Sequence, residues 1–296
     1  MLCAWLKRKA NMSAINPSTE KEFLFTEKDF QFLTQLVHEK TGISLNAEKR
    51  ELVYGRLAKR LRELGLKSFD PYCELLKRDD EHEVVQFINA ITTNVTHFFR
   101  EIHHFEFLES TLLPAIIKEK STSYQPKLRI WSAGCSSGNE PYSIAMVLRE
   151  CMTNLTRWDA KILATDLDSN ILEVAKNGIY PAASLTTVSE RRKKRWFKNG
   201  SGANEGIVKI SQDIKDLVSY KQLNLMDPWP MAGLFDFIFC RNVAIYFDNE
   251  TREKIIDRFA DRLTDNGYLF VGHSETLFGV TSRFECVGKT IYRKVV

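Results

Sequence analysis

From Thr26 the apolar residues Phe30, Leu33, Leu36 and Val37 recur at helical spacing, behind a capping-box-like Thr26-Glu27-Lys28-Asp29 and ahead of Thr41-Gly42. That pattern predicts an amphipathic helix. A second run opens at Asn46, carries Leu52, Val53, Leu57, Leu61 and Leu64 and closes at Gly65, and two more fall at Pro71 to Lys77 and Glu81 to Ile91. Residues 21–107 are therefore expected to form a helical domain. Residues 1–20 lack apolar periodicity, contain Asn16-Pro17-Ser18-Thr19 and read as a flexible leader.

After Pro126 the texture changes. Leu128–Ser132, Lys161–Thr165, Phe235–Cys240 and Tyr268–Val271 are short apolar runs, with helical patterns opening at Pro141, Ser169 and Asn249 between them. Such alternation predicts a parallel sheet covered on both faces, a doubly wound α/β domain over 108–296. One interval interrupts it. Between Tyr180 and Asn224 lie the basic run Arg191 to Arg195, then Gly200-Ser201-Gly202, then two strand-like pieces, Gly206–Ile210 and Leu217–Tyr220. A small antiparallel β insertion is expected at 181–222.

Composition narrows the class. The chain has 296 residues, 44% of them hydrophobic, enough for substantial cores and too apolar for a disordered protein. No apolar run approaches the roughly 20 residues of a membrane span, so membrane insertion is not expected. Met1–Leu6 is apolar but followed by Lys7-Arg8-Lys9, the reverse of a secretory signal. Six widely spaced cysteines form no CxxC pair. A cytoplasmic protein without a disulfide framework or zinc site fits these features.

The richest segment is Leu128-Arg129-Ile130-Trp131-Ser132-Ala133-Gly134-Cys135-Ser136-Ser137-Gly138-Asn139-Glu140-Pro141, a strand, a small-residue loop and a helix start. A ligand belongs at such a carboxyl end. A dinucleotide would need GxGxxG, whereas this loop offers Gly134 and Gly138 and adds the carboxylate of Glu140. A cationic nucleoside without phosphates, such as S-adenosylmethionine, suits it better, and Asp166 at the end of the next strand sits where an acid accepts bonds from ribose hydroxyls. The loop also reads Gly-x-Ser-x-Gly through Ser136, with Asp236 and His273 following in serine-hydrolase order. A hydrolase elbow normally follows several strands and an oxyanion loop, but everything before Leu128 reads as helix.

Further segments carry a resemblance: Ile91-Thr92-Thr93-Asn94-Val95-Thr96-His97-Phe98-Phe99-Arg100-Glu101, Gly138-Asn139-Glu140-Pro141-Tyr142-Ser143, Asn224-Leu225, Cys240-Arg241-Asn242-Val243-Ala244-Ile245-Tyr246-Phe247-Asp248 and Gly272-His273-Ser274-Glu275. From about Phe25 to the C-terminus the chain resembles the chemotaxis receptor methyltransferase family (CheR), S-adenosylmethionine-dependent protein-glutamate O-methyltransferases. The resemblance implies the S-adenosylmethionine-dependent methyltransferase fold with an N-terminal all-α domain. It implies that Asn94, Thr96 and Arg100 reach the cofactor, Arg100 toward its carboxylate, with Glu140 at the amino acid end and Asp166 at the ribose. It further implies Asn224 and Leu225 near adenine, and Arg241 and Asn242 at the reacting end. Cys135 and Asn139 depart from the usual loop residues, which removes any expected role from Asn139.

A glutamate carboxylate of pKa about 4.3 is already ionised at neutral pH, so methyl transfer to it needs positioning and no general base. Arg241 and Tyr246 are the candidates for orienting the incoming carboxylate. The second helix is rich in Lys and Arg, and Arg56, Lys59 and Arg60 are expected to dock the acidic cytoplasmic helices of chemotaxis receptors. Nucleic acid is not expected, because aromatics for base stacking are not interleaved there. The insertion resembles the β subdomain by which some relatives hold a receptor C-terminal peptide. His97, His103 and His104 share one helical face, yet no carboxylate or cysteine completes a metal set at ligand spacing, and no metal is expected. A receptor-binding adaptor without turnover is the non-enzymatic alternative; it would not need Arg100, Glu140, Asp166 and Asn242 together.

Overall fold

A computed structural model describes residues 21–152 and 154–295, so the flexible leader expected at 1–20 lies outside the described residues. The chain divides into two compact units, one built from residues up to Leu36 with Asn46–Ile91, the other from Val37–Leu45 with Thr92 onward.

The first unit is helical. Helix α1 (Glu27–Thr41) starts in it and is followed by α2 (Arg50–Leu64), α3 (Phe69–Lys77) and α4 (Glu81–Ile91). The predicted cap forms: the Thr26 N–H donates to Asp29 Oδ2 at 2.8 Å, and the Asp29 N–H to Thr26 Oγ1 at 3.2 Å. Gly65 ends α2 in the left-handed region at φ 68°. The apolar stripes meet as a core in which Leu33, Val53, Leu57, Leu61, Phe69 and Phe87 are buried. Two of the three expected docking cations are committed to this unit. Arg60 Nε donates to the buried Glu83 at 2.9 Å, where the Tyr72 hydroxyl also donates at 2.9 Å, and Arg56 donates to the Ile91 carbonyl. Lys59 projects outward and stands 3.8 Å from Glu63.

The helical unit ends at Ile91 and not at 107. Phe98, Phe99 and Phe105 are buried in one cluster with Leu128 and Ile130 of the sheet, so residues 92–107 belong to the second unit. There α5 (Ile102–Phe107) passes through a π turn, Leu108–Leu112, into α6 (Leu113–Lys120).

The strands of the second unit are β1 (Lys127–Ala133), β2 (Asp159–Asp166), β3 (Ile179–Pro181), β4 (Phe197–Asn199), β5 (Ile207–Ile210), β6 (Val218–Gln222), β7 (Phe235–Cys240), β8 (Leu263–Val271), β9 (Phe284–Gly288) and β10 (Ile291–Lys294). Seven form one sheet in the order β6-β2-β1-β7-β8-β10-β9, parallel through β8 and antiparallel at β10 and β9. All six residues of β7 are buried, because successive side chains enter different cores: Phe237 and Phe239 join one cluster, Ile238 and Cys240 the other. Helix α7 (Asn139–Cys151) lies in the first cluster and α8 (Ser169–Asn177) follows β2, whereas a later helix, Asn249–Arg262, fills the second.

The insertion is smaller than expected. Its antiparallel sheet is β3-β5-β4, with the basic helix α9 (Glu190–Trp196) between β3 and β4. The Leu217–Tyr220 piece is not part of it. It is β6, pairing in parallel with β2 from Ile162↔Val218 to Asp166↔Gln222. Val218 and Tyr220 pack on the main core, which fixes the piece at the edge of the large sheet. Among the described residues no helix is long and apolar enough to cross a membrane.

Candidate functional site

Strand β1 has β2 on one side and β7 on the other, so the connections leaving its carboxyl end diverge and open a crevice. The small-residue loop sits there. Gly134 (φ 79°) and Gly138 (φ 85°) are left-handed, and Ser136 shares that conformation at φ 49°. A Cβ on Gly134 would lie 2.3 Å from Val243 Cγ2, and one on Gly138 would lie 2.9 Å from Ala175 Cβ. The glycines therefore let the loops after β1 and β7, and helix α8, approach closely.

The crevice is a cavity of about 190 Å³. Asn94, Thr96, Arg100, Glu140, Asp166, Asn224, Leu225, Arg241, Asn242 and Tyr246 all line it. Residues from five separate stretches of sequence are thus brought to one place.

Asp166 ends β2 and is buried; its Oδ2 accepts from the Ser136 N–H at 2.7 Å and its Oδ1 from the Asp168 N–H at 3.0 Å. Burial pushes its carboxyl up to about 6, against the pull of those N–H donors. Asp168 was not singled out from sequence, yet it ties the lining together. One carboxylate oxygen caps α8 through the Asn170 and Ile171 N–H groups, while the other accepts from Asn94 Nδ2 at 2.6 Å and Thr92 Oγ1 at 3.0 Å. Ser136 Oγ donates to the Asn94 carbonyl at 3.1 Å, which closes the strap 92–96 over the loop.

On the opposite side Arg241, with a side chain 2% exposed, donates to Glu140 Oε2 at 3.1 Å and to the Arg100 carbonyl, and stands 3.4 Å from Glu101 Oε2. Burial raises the Glu140 carboxyl although Arg241 and the Ser132 hydroxyl, which donates at 2.8 Å, pull it down. For Glu101 the balance reverses: burial would raise it, but Arg241 and the His273 donors hold it below the ordinary range. Burial and Arg241 lower His104 to about 3. The Gly-His-Ser-Glu segment works through Glu275, which is 2% exposed and accepts from the N–H groups of Gly272 (2.6 Å), Asn242 (2.7 Å) and Ile245 (3.1 Å). These bonds hold the loop after β7, including Asn242 at φ 58°.

The hydrolase alternative is excluded by position. Ser136 donates to a carbonyl, His273 pairs with Glu101, and Asp236 is bound to Lys120 and the Arg129 N–H at the start of β7. Burial pushes the Cys135 thiol well up, which leaves it unreactive.

The site fits an adenosyl amino acid. Asn242 Oδ1 is buried without a hydrogen-bond partner and lines the cavity, an acceptor left for a ligand donor, and the carboxylates of Glu140 and Asp166 suit an ammonium and ribose hydroxyls. Residues 28–92 match the family "CheR methyltransferase, all-alpha domain" and residues 94–293 match "CheR methyltransferase, SAM binding domain". The chain belongs to the CheR methyltransferase family. It is 43% identical to a probable chemotaxis protein methyltransferase of Rhizobium etli over 87% of this chain and 96% of that one. It is 41% identical to chemotaxis protein methyltransferase 2 of Pseudomonas aeruginosa (92% and 95%) and 41% identical to the chemotaxis protein methyltransferase of Escherichia coli (90% and 91%). The protein is therefore a chemotaxis methyltransferase with an N-terminal all-α domain, and its cofactor is S-adenosylmethionine.

Proposed function

We propose that this chain methylates glutamate side-chain carboxylates on the cytoplasmic helices of chemotaxis receptors, forming methyl esters. The observation that carries the reading is a cavity lined by cofactor-type carboxylates and by Tyr246, with no serine or thiol activated for attack. Bound S-adenosylmethionine supplies a methyl group on a sulfonium. The residues hold and orient: Glu140 and Arg100 the amino acid end, Asp166 the ribose, Asn224 and Leu225 the adenine, Asn94, Thr96 and Asn242 the remaining walls. Arg241 is engaged by Glu101 and Glu140, so it supports the site from behind and the orientation of the incoming carboxylate falls to Tyr246. A bond from a phenol to a carboxylate contributes roughly 1.5–3 kcal/mol, so Tyr246→Phe should lower kcat about 10- to 100-fold while cofactor affinity stays constant. Labelled methyl transferred to receptor-containing membranes should be released by mild base as methanol. Base-stable label would overturn the ester, and cofactor binding without any label would return the adaptor reading.

Docking is proposed to use two surfaces. Lys59, with a side chain 74% exposed, supplies positive charge toward an acidic receptor helix. The insertion offers edge strands β3 and β4 to an extended receptor C-terminal peptide, with Lys193 and Lys194 beside the hollow lined by Phe197 and Val208 to meet its carboxylate. Removing the receptor tail should raise the receptor KM about tenfold or more, by loss of tethering. Lys59→Glu should raise it a further few-fold with either receptor, less so in high salt. A KM indifferent to both changes would refute the docking assignment.

A further inference from the structure

Three of the six histidines gather at Glu101. A ligand atom from Glu101, His103 and His104 can be chosen so that all three lie within 4.8 Å of one another, and His273 Nδ1 stands 3.2 Å from Glu101 Oε1. The carboxylate precedes the histidines by two and three residues in sequence, and its left-handed φ of 56° at the threshold of α5 brings it onto their side.

The hydrogen bonding within this cluster is incomplete. His104 is 0% exposed, and its Nε2 lies 3.2 Å from the Lys289 carbonyl and 3.0 Å from Thr290 Oγ1. A carbonyl only accepts, so Nε2 carries the proton and the neutral ring presents a bare lone pair at Nδ1. Among the described residues that Nδ1 has no hydrogen-bond partner. It faces Glu101 Oε2 at 3.7 Å, which is also buried and without one. Two lone pairs facing each other in a buried place call for a cation between them. Arg241 Nη2, 3.4 Å from Oε2, is engaged with the Arg100 carbonyl.

We propose that Glu101, His103 and His104 form a binding site for a divalent transition-metal ion such as zinc, with water or His273 as fourth ligand. Two imidazoles and one carboxylate form a donor set typical of Zn²⁺, whereas Mg²⁺ and Ca²⁺ prefer oxygen. Bonds of about 2.0–2.2 Å place tetrahedral ligand atoms roughly 3.4 Å apart, so from separations of up to 4.8 Å the cluster must contract by up to about 1.4 Å. His104 is fixed by Thr290 and by the rings of Phe239 and Phe270 at 6.2 and 5.5 Å, so the movement belongs to the half-buried His103, whose Nε2 stands 3.1 Å from the Lys289 carbonyl and whose Nδ1 is then the ligand atom. Glu101 also faces Arg241 at 3.4 Å, so the metal would sit beside a residue that lines the cofactor cavity.

The test uses the full chain with Cys286, the exposed thiol among the described residues, and Cys3 changed to serine. Calorimetric titration with Zn²⁺ and absorption titration with Co²⁺ should give one ion per chain, at tens of micromolar or tighter, with the intense visible band of four-coordinate cobalt. His103→Ala and His103→Gln should each weaken binding at least tenfold, while metal-free S-adenosylmethionine affinity stays at the parent value. Binding weaker than millimolar, or binding unchanged in both variants, would overturn the proposal.

Discussion

Replacing Arg241 with Met should cost about 3–5 kcal/mol of stability and reduce S-adenosylmethionine binding below detection, because it strands two buried carboxylates. The guanidinium is 2% exposed and has Glu101 on one side and Glu140 on the other, whose side chains are 10% and 11% exposed. Neither acid has water enough to stay ionised alone, and both line or adjoin the cavity. At roughly 2–4 °C per kcal/mol for a domain of this size, the melting temperature should fall by about 10 °C. Arg241→Lys keeps the charge but has no planar fork to reach both acids and the Arg100 carbonyl, so it should recover only part of the loss. Combining Arg241→Met with Glu140→Gln should recover more stability than the single effects predict, a coupling of at least 1 kcal/mol. Calorimetric melting of the parent, Arg241→Met, Arg241→Lys, Glu140→Gln and the double variant decides it. An Arg241→Met protein that melts with the parent would show that the acids are held by something other than Arg241.

What the sequence discloses and what it withholds separate along physical lines. Local chemistry is legible: the box Thr26-Glu27-Lys28-Asp29 caps its helix, Gly65 ends another, and the spacing of Gly134 and Gly138 before Glu140 marks a ligand loop without the glycine that admits a pyrophosphate. Partnership across the chain is not. The run of cations on α2 reads as a docking face, but the buried acid that claims Arg60 lies on α4, and no periodicity in α2 foretells it. Asp168 escapes notice, and the partners of Glu101 and Glu275 do not show in their motifs, for the same reason: each acts on groups far away in sequence, Asp168 on Asn94, Glu101 on Arg241, Glu275 on Asn242. Strand direction is equally silent. The five residues of β6 alternate as an edge strand of either sense would, and only pairing with β2 settles it as parallel. The boundary at Ile91 was hidden because α5 has an apolar face like its predecessors, although that face meets the sheet core.

The affinity for S-adenosylmethionine should fall about tenfold between pH 7.5 and pH 5, and Asp166 is the main cause. Its carboxyl is raised from 3.8 to about 6 by burial, so at pH 5 most molecules carry it protonated. Ribose hydroxyls donating to both oxygens need the carboxylate, and binding in acid must first remove that proton. The stability effect has the opposite sign. Because the folded-state value lies above the unfolded one, this group's contribution to stability is fully present below about 4 and is lost as pH rises through about 6, where the buried charge forms. Asp166→Asn removes the buried charge but leaves one of the two N–H groups facing an NH2 donor, so its melting temperature should depend less on pH than the parent's, while it loses at least tenfold in cofactor affinity at pH 7.5 and shows a flatter affinity profile. The slope that remains belongs to Glu140, also raised by burial. Asp166→Ala should lose the same affinity but also release the Ser136 and Asp168 N–H groups, so it should melt lower. Titration calorimetry across the pH range with the three proteins separates the effects. An Asp166→Asn protein that binds as tightly as the parent, or that keeps the full acid-side fall, would move the ribose contact to another residue.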